Sequence, residues 1–331
     1  MDTRKVQLTG GSTYTVSLPK EWADEHGVEA GNEVEFHREG DALLLAPRPE
    51  AERTEGWLDV TGLAGDRLTS AVMTMYVSGF DVIVLEGEQL SPDQRRTIRE
   101  AVQGLVGVEI LKETDDRVVI QDLLDSSELS IHNAVTRMRL IALAMLDDAV
   151  TALLEDDDVL ARSVIDRDDD IDRLWFAVSR IFRATLRSPR ATAELGLPRE
   201  MCFDYHSSAR QLERIADHAA KISQLSTNLE EIDDDVAAAL RDLHEDAADV
   251  IDTAMAALLE EDGDRSTQLA HDARESILEL DEHTRRVDEL LRTLDPHEAQ
   301  SLGLIVDSLS RCADYGGNVA ETALQKAAPK P

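Results

Sequence analysis

The sequence predicts a largely helical protein of class α plus small β. A β-rich N-terminal module comes first, then an α/β spacer, then an all-α bundle of two three-helix repeats. Three observations carry this. Aromatic residues make up only 4 % of the 331, and Gly (17) and Pro (9) are few, which suits a helix-rich chain. From residue 126 onward, apolar residues recur at alternating steps of three and four, the pattern of long bundle helices. Within that region the stripe Leu212, Ile215, Ala219, Ile222 returns as Leu309, Cys312, Gly316, Val319, each pair 97 positions apart (309 − 212 = 97).

Residues 1–50 read as the β-rich module. Residues 5–8 form a short strand and Thr9 to Thr13 a polar turn. Residues 14–18, rich in β-branched and aromatic side chains, form a second strand. Pro19 opens a short helix over 20–26, since Pro suits a first helical position, and Gly27 ends it. Residues 34–37 and 42–45 pair through the turn Glu39-Gly40-Asp41. So small a module cannot bury much core alone, which points to dimerisation through it.

Residues 47–53, with two prolines and four charges, read as a linker. Residues 56–123 then read strand, helix, strand, helix, strand, strand. The second strand is 80–85, Pro92 opens a helix to 106, and 108–111 and 118–120 flank a hairpin turn. Gly104 and Gly107 make no dinucleotide-binding fingerprint, and this spacer reads as a packing or dimerisation unit. Residues 126–328 hold the bundle, with helices expected over 128–154, 157–187, 199–227, 230–260, 265–293 and 296–326. The breaks carry turn or polar signals such as Ser188-Pro189 and Asp295-Pro296.

Charge narrows the function. Lys plus Arg total 34 against 68 Asp plus Glu, so the net charge is 34 − 68 = −34. That disfavours a general nucleic-acid coat or a basic membrane-surface binder. Only six bases are Lys. At ~1 M salt the Debye length is ~3 Å, so a dense acidic shell stops repelling itself, and the composition reads as adaptation to a halophilic, salt-rich cytoplasm. Two cysteines 110 positions apart make neither a disulfide framework nor a Cys-based zinc site. No apolar run spans a membrane and the N-terminus has no signal-peptide core, so a soluble cytoplasmic protein is expected.

The candidate chemistry is carboxylate chemistry. Glu213 and Asp217 stand four apart and share a helix face roughly opposite the Leu212 stripe, directed away from the core. Asp169 and Asp172 fall on the far side of the preceding long helix. Asp314 takes the place of Asp217 in the second repeat, and Asp281 lies on the flank of its stripe. Carboxylates converging from neighbouring helices suit hard cations such as Mg or Mn. Among 68 acids such spacing also arises by chance, so a solvated face is the competing explanation. Cys202 and Cys312 read as small core residues. No nucleophilic triad, H-E-x-x-H or P-loop is present, and a non-enzymatic role is expected.

Two resemblances add to this. Leu212-Glu213-Arg214-Ile215-Ala216-Asp217-His218-Ala219 strongly resembles the signature of the PhoU phosphate-uptake regulators, which have two three-helix repeats. The resemblance implies multinuclear iron or zinc on the outer bundle face. It also implies repression of phosphate import through contact with the transporter ATPase or its signalling apparatus. Ser310 stands where the second motif usually has an acid and Tyr315 where it usually has His, so the second site is short of a ligand. The N-terminal residues Val16-Ser17-Leu18-Pro19-Lys20-Glu21-Trp22, Gly27-Val28 and Gly31-Asn32-Glu33-Val34 resemble the AbrB (SpoVT/MazE-like) swapped-hairpin DNA-binding domain. That implies an interleaved homodimer with basic side chains toward DNA. Arg4, Lys5 and Lys20 stand against one acid, Asp2, in the first 20 residues.

The expected function is therefore a metal-binding, DNA-binding transcriptional regulator of phosphate homeostasis. The alternative is an adaptor that represses the import transporter by protein contact and never touches DNA. A carboxylate-metal phosphohydrolase lacks a general base and a phosphate-cradling loop.

Overall fold

The computed structural model describes residues 3–39, 41–47, 53–123, 130–229 and 232–329. Asp2, Gly40 of the expected hairpin turn, most of the expected linker and the expected first residues of two bundle helices lie outside them. The chain divides into two compact units, Met1–Arg53 and Thr54–Pro331.

In the first unit, β1 (Gln7–Thr9) and β2 (Thr13–Thr15) pair antiparallel with Gln7 opposite Thr15. The tight turn needs Gly10 and Gly11, both at positive φ (64° and 80°). That turn sets the register, so only three pairs form and the strands are shorter than the apolar pattern suggested. Helix α1 (Lys20–Glu25) follows Pro19, then β3 (Val34–Glu39) pairs with β4 (Ala42–Pro47), Val34 opposite Pro47. No described residue of this unit is buried. Val6, Leu8, Tyr14, Phe36 and Leu43 are 59–74 % exposed.

The second unit opens with β5 (Glu55–Asp59), α2 (Gly65–Val77), β6 (Val82–Glu86), α3 (Pro92–Gln103), β7 (Val108–Glu113) and β8 (Arg117–Asp122), in the order the sequence predicts. The sheet runs β5-β6-β8-β7, with β5 parallel to β6 and the other pairs antiparallel. Leu68, Val72, Tyr76, Ile98 and Val102 of the helices close on Ile83, Leu85, Val118 and Ile120 of the sheet. Gly56 is required there, because a Cβ would lie 2.5 Å from the Phe80 ring.

The bundle follows: α4 (Ile131–Glu155), α5 (Asp158–Arg187), α6 (Pro189–Leu195), α7 (Arg199–Ser226), α8 (Asp234–Leu259), α9 (Gly263–Leu291) and α10 (Pro296–Ala327). Six are the expected helices. The seventh, α6, occupies the break after Ser188, where Pro189 starts it and Gly196, at φ 65°, ends it. Several of the many acids are N-caps: the carboxylates of Asp157, Asp233, Asp262 and Asp295 each accept a backbone N–H of the following turn. Helices α4, α5 and α7 pack together, as do α8, α9 and α10, and α7 meets α10 while α4 meets α8. Ile215 and Cys312, equivalent in the two repeats, touch each other. Both cysteines are buried free thiols.

The α/β layer is fixed to α5 by arginine. Arg180 donates to the carbonyls of Tyr76 (2.7 Å) and Phe80 (3.0 Å) and pairs with Asp122, and its guanidinium lies over the Tyr76 ring. Arg187 donates to the Ser78 carbonyl.

Candidate functional site

Four carboxylates meet where α5 lies along α7: Asp168 and Asp172 from one helix, Glu213 and Asp217 from the other. Each helix contributes an i, i+4 pair, which places both members on one face. Glu213 departs from the expectation that it points away from the core. It is 7 % exposed, because α4, α5 and α10 all pack on α7 and leave little of that helix to solvent. Its Oε1 accepts from Arg210 Nη1 at 2.7 Å, while Oε2 is buried with no hydrogen bond. Asp168 Oδ1 is likewise buried and unpartnered.

Electrostatics follows from this crowding. Burial first, then Asp217, pushes Glu213 up to about 7, against the pull of Arg210. Burial and neighbouring carboxylates push Asp168 and Asp172 up to about 6. Burial raises Asp217 as well, opposed by Arg210 and His218. The site carries more negative charge than Arg210, and Arg214 beside Asp217, offset. Arg210 also lies over the Trp175 ring, 5.3 Å from its centroid. His218 is half-buried; its Nδ1 lacks a partner and its ring lies 5.7 Å from that of Tyr315.

The remaining expected ligands are apart from this group. Asp169 is exposed on α5 and acts on Asp168 and Asp172 only as a neighbouring charge. Asp314 and Asp281 are exposed on α10 and α9, and neither is among the charges acting on the cluster. As the side chains are placed, no three His, Cys, Asp or Glu among the described residues close on one ion position. The donor chemistry nonetheless suits a hard cation: four carboxylates, two of their oxygens buried without a donor. The sequence reading missed Asp168 and Arg210. Their signals were the four-residue step to Asp172 and the three-residue step to Glu213.

In the first unit, Arg4, Lys5 and Lys20 are exposed, Lys20 at the start of α1. The hydroxyl of Thr9 in the polar turn is engaged with that of Thr15 at 3.1 Å.

Comparison with known proteins bears on both units. Residues 135–226 match the family model of the PhoU domain. The structure of PhoU from Pseudomonas aeruginosa is similar with a TM-score of 0.52 at 22 % identity, covering 60 % of this chain and 96 % of that one. The bundle has the PhoU fold. A phosphate transport system regulatory protein PhoU from Streptococcus pneumoniae aligns with a TM-score of 0.48 at 18 % identity over 59 % of this chain and 91 % of that one. Residues 7–53 match the model of the MazE antitoxin, described as antidote-toxin recognition. No curated protein matches the chain significantly. The PhoU match spans α4 to α7, the helices that carry the four-carboxylate cluster. No helix of the described residues is long and apolar enough to cross a membrane.

Proposed function

We propose that this chain regulates phosphate uptake as a DNA-binding dimer whose PhoU-fold bundle binds a cation. One observation supports it above the others: a single chain joins a PhoU-fold bundle, with a carboxylate cluster in its first repeat, to a small β-rich module that carries Arg4, Lys5 and Lys20 in its first 20 residues and buries no described side chain of its own. Apolar side chains such as Tyr14 and Phe36 need a cover, and a second copy of the module supplies it. Dimerisation doubles the Arg4, Lys5 and Lys20 set, giving two equivalent phosphate-contacting surfaces. In the salt-rich cytoplasm that the acidic composition suits, counterion release contributes little, so backbone and hydroxyl donors around the Thr9–Thr13 turn carry more of the affinity.

Asp168, Asp172, Glu213 and Asp217 are the residues that would hold the cation, which when bound supplies the positive charge the cluster lacks. Oxygen-only donors favour iron, manganese or magnesium over zinc, whose usual thiolate ligands are absent because both cysteines are in the core. The chain's own contribution is electrostatic. Arg210 holds Glu213 in place, and burial keeps the four carboxylates charged only at a cost that a cation offsets. No group in the cluster is arranged as a nucleophile with its base, which supports a regulatory rather than an enzymatic role.

The test is a gel shift at high salt with phosphate-transport promoter DNA, comparing wild type with Arg4→Ala/Lys5→Ala/Lys20→Ala, alongside chromatin pull-down in phosphate-rich and phosphate-starved cells. Binding lost in the triple variant and occupancy that follows phosphate support the reading. Uniform occupancy, with no enrichment at those promoters, rejects it. The alternative is an adaptor acting on the import transporter by protein contact. It has its own supporting observation, an exposed arginine and aromatic face on α5 and α7, and an intact phosphate response without DNA binding would favour it.

A further inference from the structure

The sequence between Arg173 and Arg210 inverts the character of the chain. It holds seven Arg and three acids, a net charge of 7 − 3 = +4 in a protein of net −34. Two of those arginines, Arg180 and Arg187, hold the α/β layer. Arg183, between them, is exposed and makes no ion pair among the described residues.

Beside Arg183 runs a connected series of rings. His206 stacks on Phe182 (centroids 4.5 Å apart, planes 27°) and sits 4.9 Å from Trp175, while Phe182 meets Phe203 at 6.1 Å. Arg210 covers the Trp175 ring at one end, and Phe203, 51 % exposed, stands at the other. Trp175, Phe182 and Phe203 are three of only twelve aromatic residues (3 Trp, 4 Tyr, 5 Phe) in the chain. Burial, Arg183 and Arg210 push His206 down to about 4, so at neutral pH its ring is an uncharged stacking surface. Trp, aromatic rings and Arg are the residues enriched where proteins bind each other, with Lys and acids depleted.

We propose that this α5–α7 face docks an acidic segment of a partner protein, with apolar contact to Phe203 and Phe182 and an ion pair to Arg183. Charge selects the occupant. A second copy meeting face to face would set Arg183 against Arg183, and a copy meeting through its acidic side would build an open chain of subunits rather than a closed oligomer. Nucleic acid needs several phosphate contacts, and among the described residues the other arginines of this stretch are already held in ion pairs or hydrogen bonds, within a surface that repels polyanions. A short acidic segment reaches Arg183 without approaching the rest of the acidic shell. The proposal deepens the regulatory reading and rests on it in one respect, that the PhoU-fold unit works through a partner. Arg210 joins this face to the carboxylate cluster, since the same guanidinium lies on Trp175 and binds Glu213.

The test is site-specific photocrosslinking from position 203 of the full chain, with p-benzoylphenylalanine in place of Phe203, in the source organism. The expected result is one crosslinked protein whose attached segment is net acidic. Arg183→Glu lowers the yield at least about tenfold, as loss of a central contact does. Replacing the acids of the attached segment by Lys restores it in the Arg183→Glu background. Arg183 is exposed, so charge reversal leaves the fold intact; if melting nonetheless falls, Arg183→Gln read at an unchanged melting temperature replaces it. Crosslinks to a second copy, to nucleic acid, to a segment that is not acidic, at a yield indifferent to Arg183, or no crosslink at all each overturn the proposal. None of these variants touches the first unit, so promoter binding in a gel shift reports the DNA reading separately.

Discussion

The two halves of the bundle share a pattern and differ in what fills the same positions. In the first repeat, Glu213 and Asp217 on α7 face Asp168 and Asp172 on α5, and Arg210 pairs with Glu213. Ninety-seven residues later, Ser310 replaces Glu213 and pairs its hydroxyl with Thr284 of α9 at 3.3 Å. Asp307 replaces Arg210, and Asp314, exposed like its equivalent Asp217, has no buried acid one turn before it. Helix α10 also packs on glycine there. A Cβ on Gly317, the equivalent of Ala220, would lie 2.7 Å from Ile277 of α9, and one on Gly316, the equivalent of Ala219, 2.9 Å from Val250 of α8. One repeat keeps an under-neutralised polar seam and the other has closed it with hydroxyl and apolar contacts. A duplicated scaffold can thus specialise one copy for binding and the other for packing, because either arrangement satisfies the same helix geometry.

The largest expected difference is in cation content. Glu213→Ala/Asp217→Ala should strip the purified protein of stoichiometric iron, manganese or magnesium, whereas Asp314→Ala/Asp281→Ala should leave it unchanged. Elemental analysis in molar salt reads both. Equal metal in the first variant and the wild type would place the cation elsewhere or nowhere.

Packing is the next contrast. Gly316→Val forces a branched side chain against Val250 and the Ile251 backbone, 3.2 Å from the added Cβ, and should cost ~1–3 kcal/mol. The equivalent change in the first repeat, Ala219→Gly, removes a buried methyl and adds helix flexibility, for ~1 kcal/mol. At this chain size each kcal/mol shifts the melting temperature by ~2–4 °C. A Gly316→Val protein that melts with wild type would mean that α8 and α10 are looser than described.

Much of this contrast was visible in the sequence. The repeat, the six long helices and the missing acid at Ser310 follow from periodicity, and the Asp caps fix where several helices begin. The β-rich unit's lack of a core follows from its size. What escaped depended on which helix lies beside which. A helical wheel gives the angle of Glu213 but not the presence of α5 along that side, so its burial was not legible. Asp168 differs from the named Asp169 by 100° of rotation, and only the position of α7 chooses between them. The aromatic face joins residues of two helices across a break whose own short helix, α6, announced itself only by Pro189 and Gly196.

The seam should also make the first repeat pH-sensitive. Glu213, Asp168 and Asp172 bind protons more tightly in the folded chain than in the unfolded one. Between the ordinary carboxylate range and about 7 the folded state therefore holds more protons, and stability falls as pH rises through that window, then levels off. In chelator, the melting temperature should drop from pH 5 to pH 7.5. Manganese or magnesium should restore it at pH 7.5 and do little at pH 5. Glu213→Gln should flatten the profile, and a profile unchanged in that variant would remove Glu213 from the seam.

The smallest effect tests whether one residue separates the two repeats. Ser310→Glu restores the acid that the second motif lacks, and if that acid were the whole difference a second cation should bind. The structure argues otherwise. Thr284 faces position 310 from α9, and Ile277, which presses against Gly317, leaves an apolar wall where a carboxylate would be needed. The new Glu would add a half-buried charge without a partner. Metal content should stay at one site's worth, and stability should fall by ~1 kcal/mol, seen as a few degrees in melting and recovered on acidification. A second equivalent of cation in Ser310→Glu would show that α9 can offer ligands from Asp281 or its neighbours after all, and that the second repeat lost its site by a single substitution rather than by repacking.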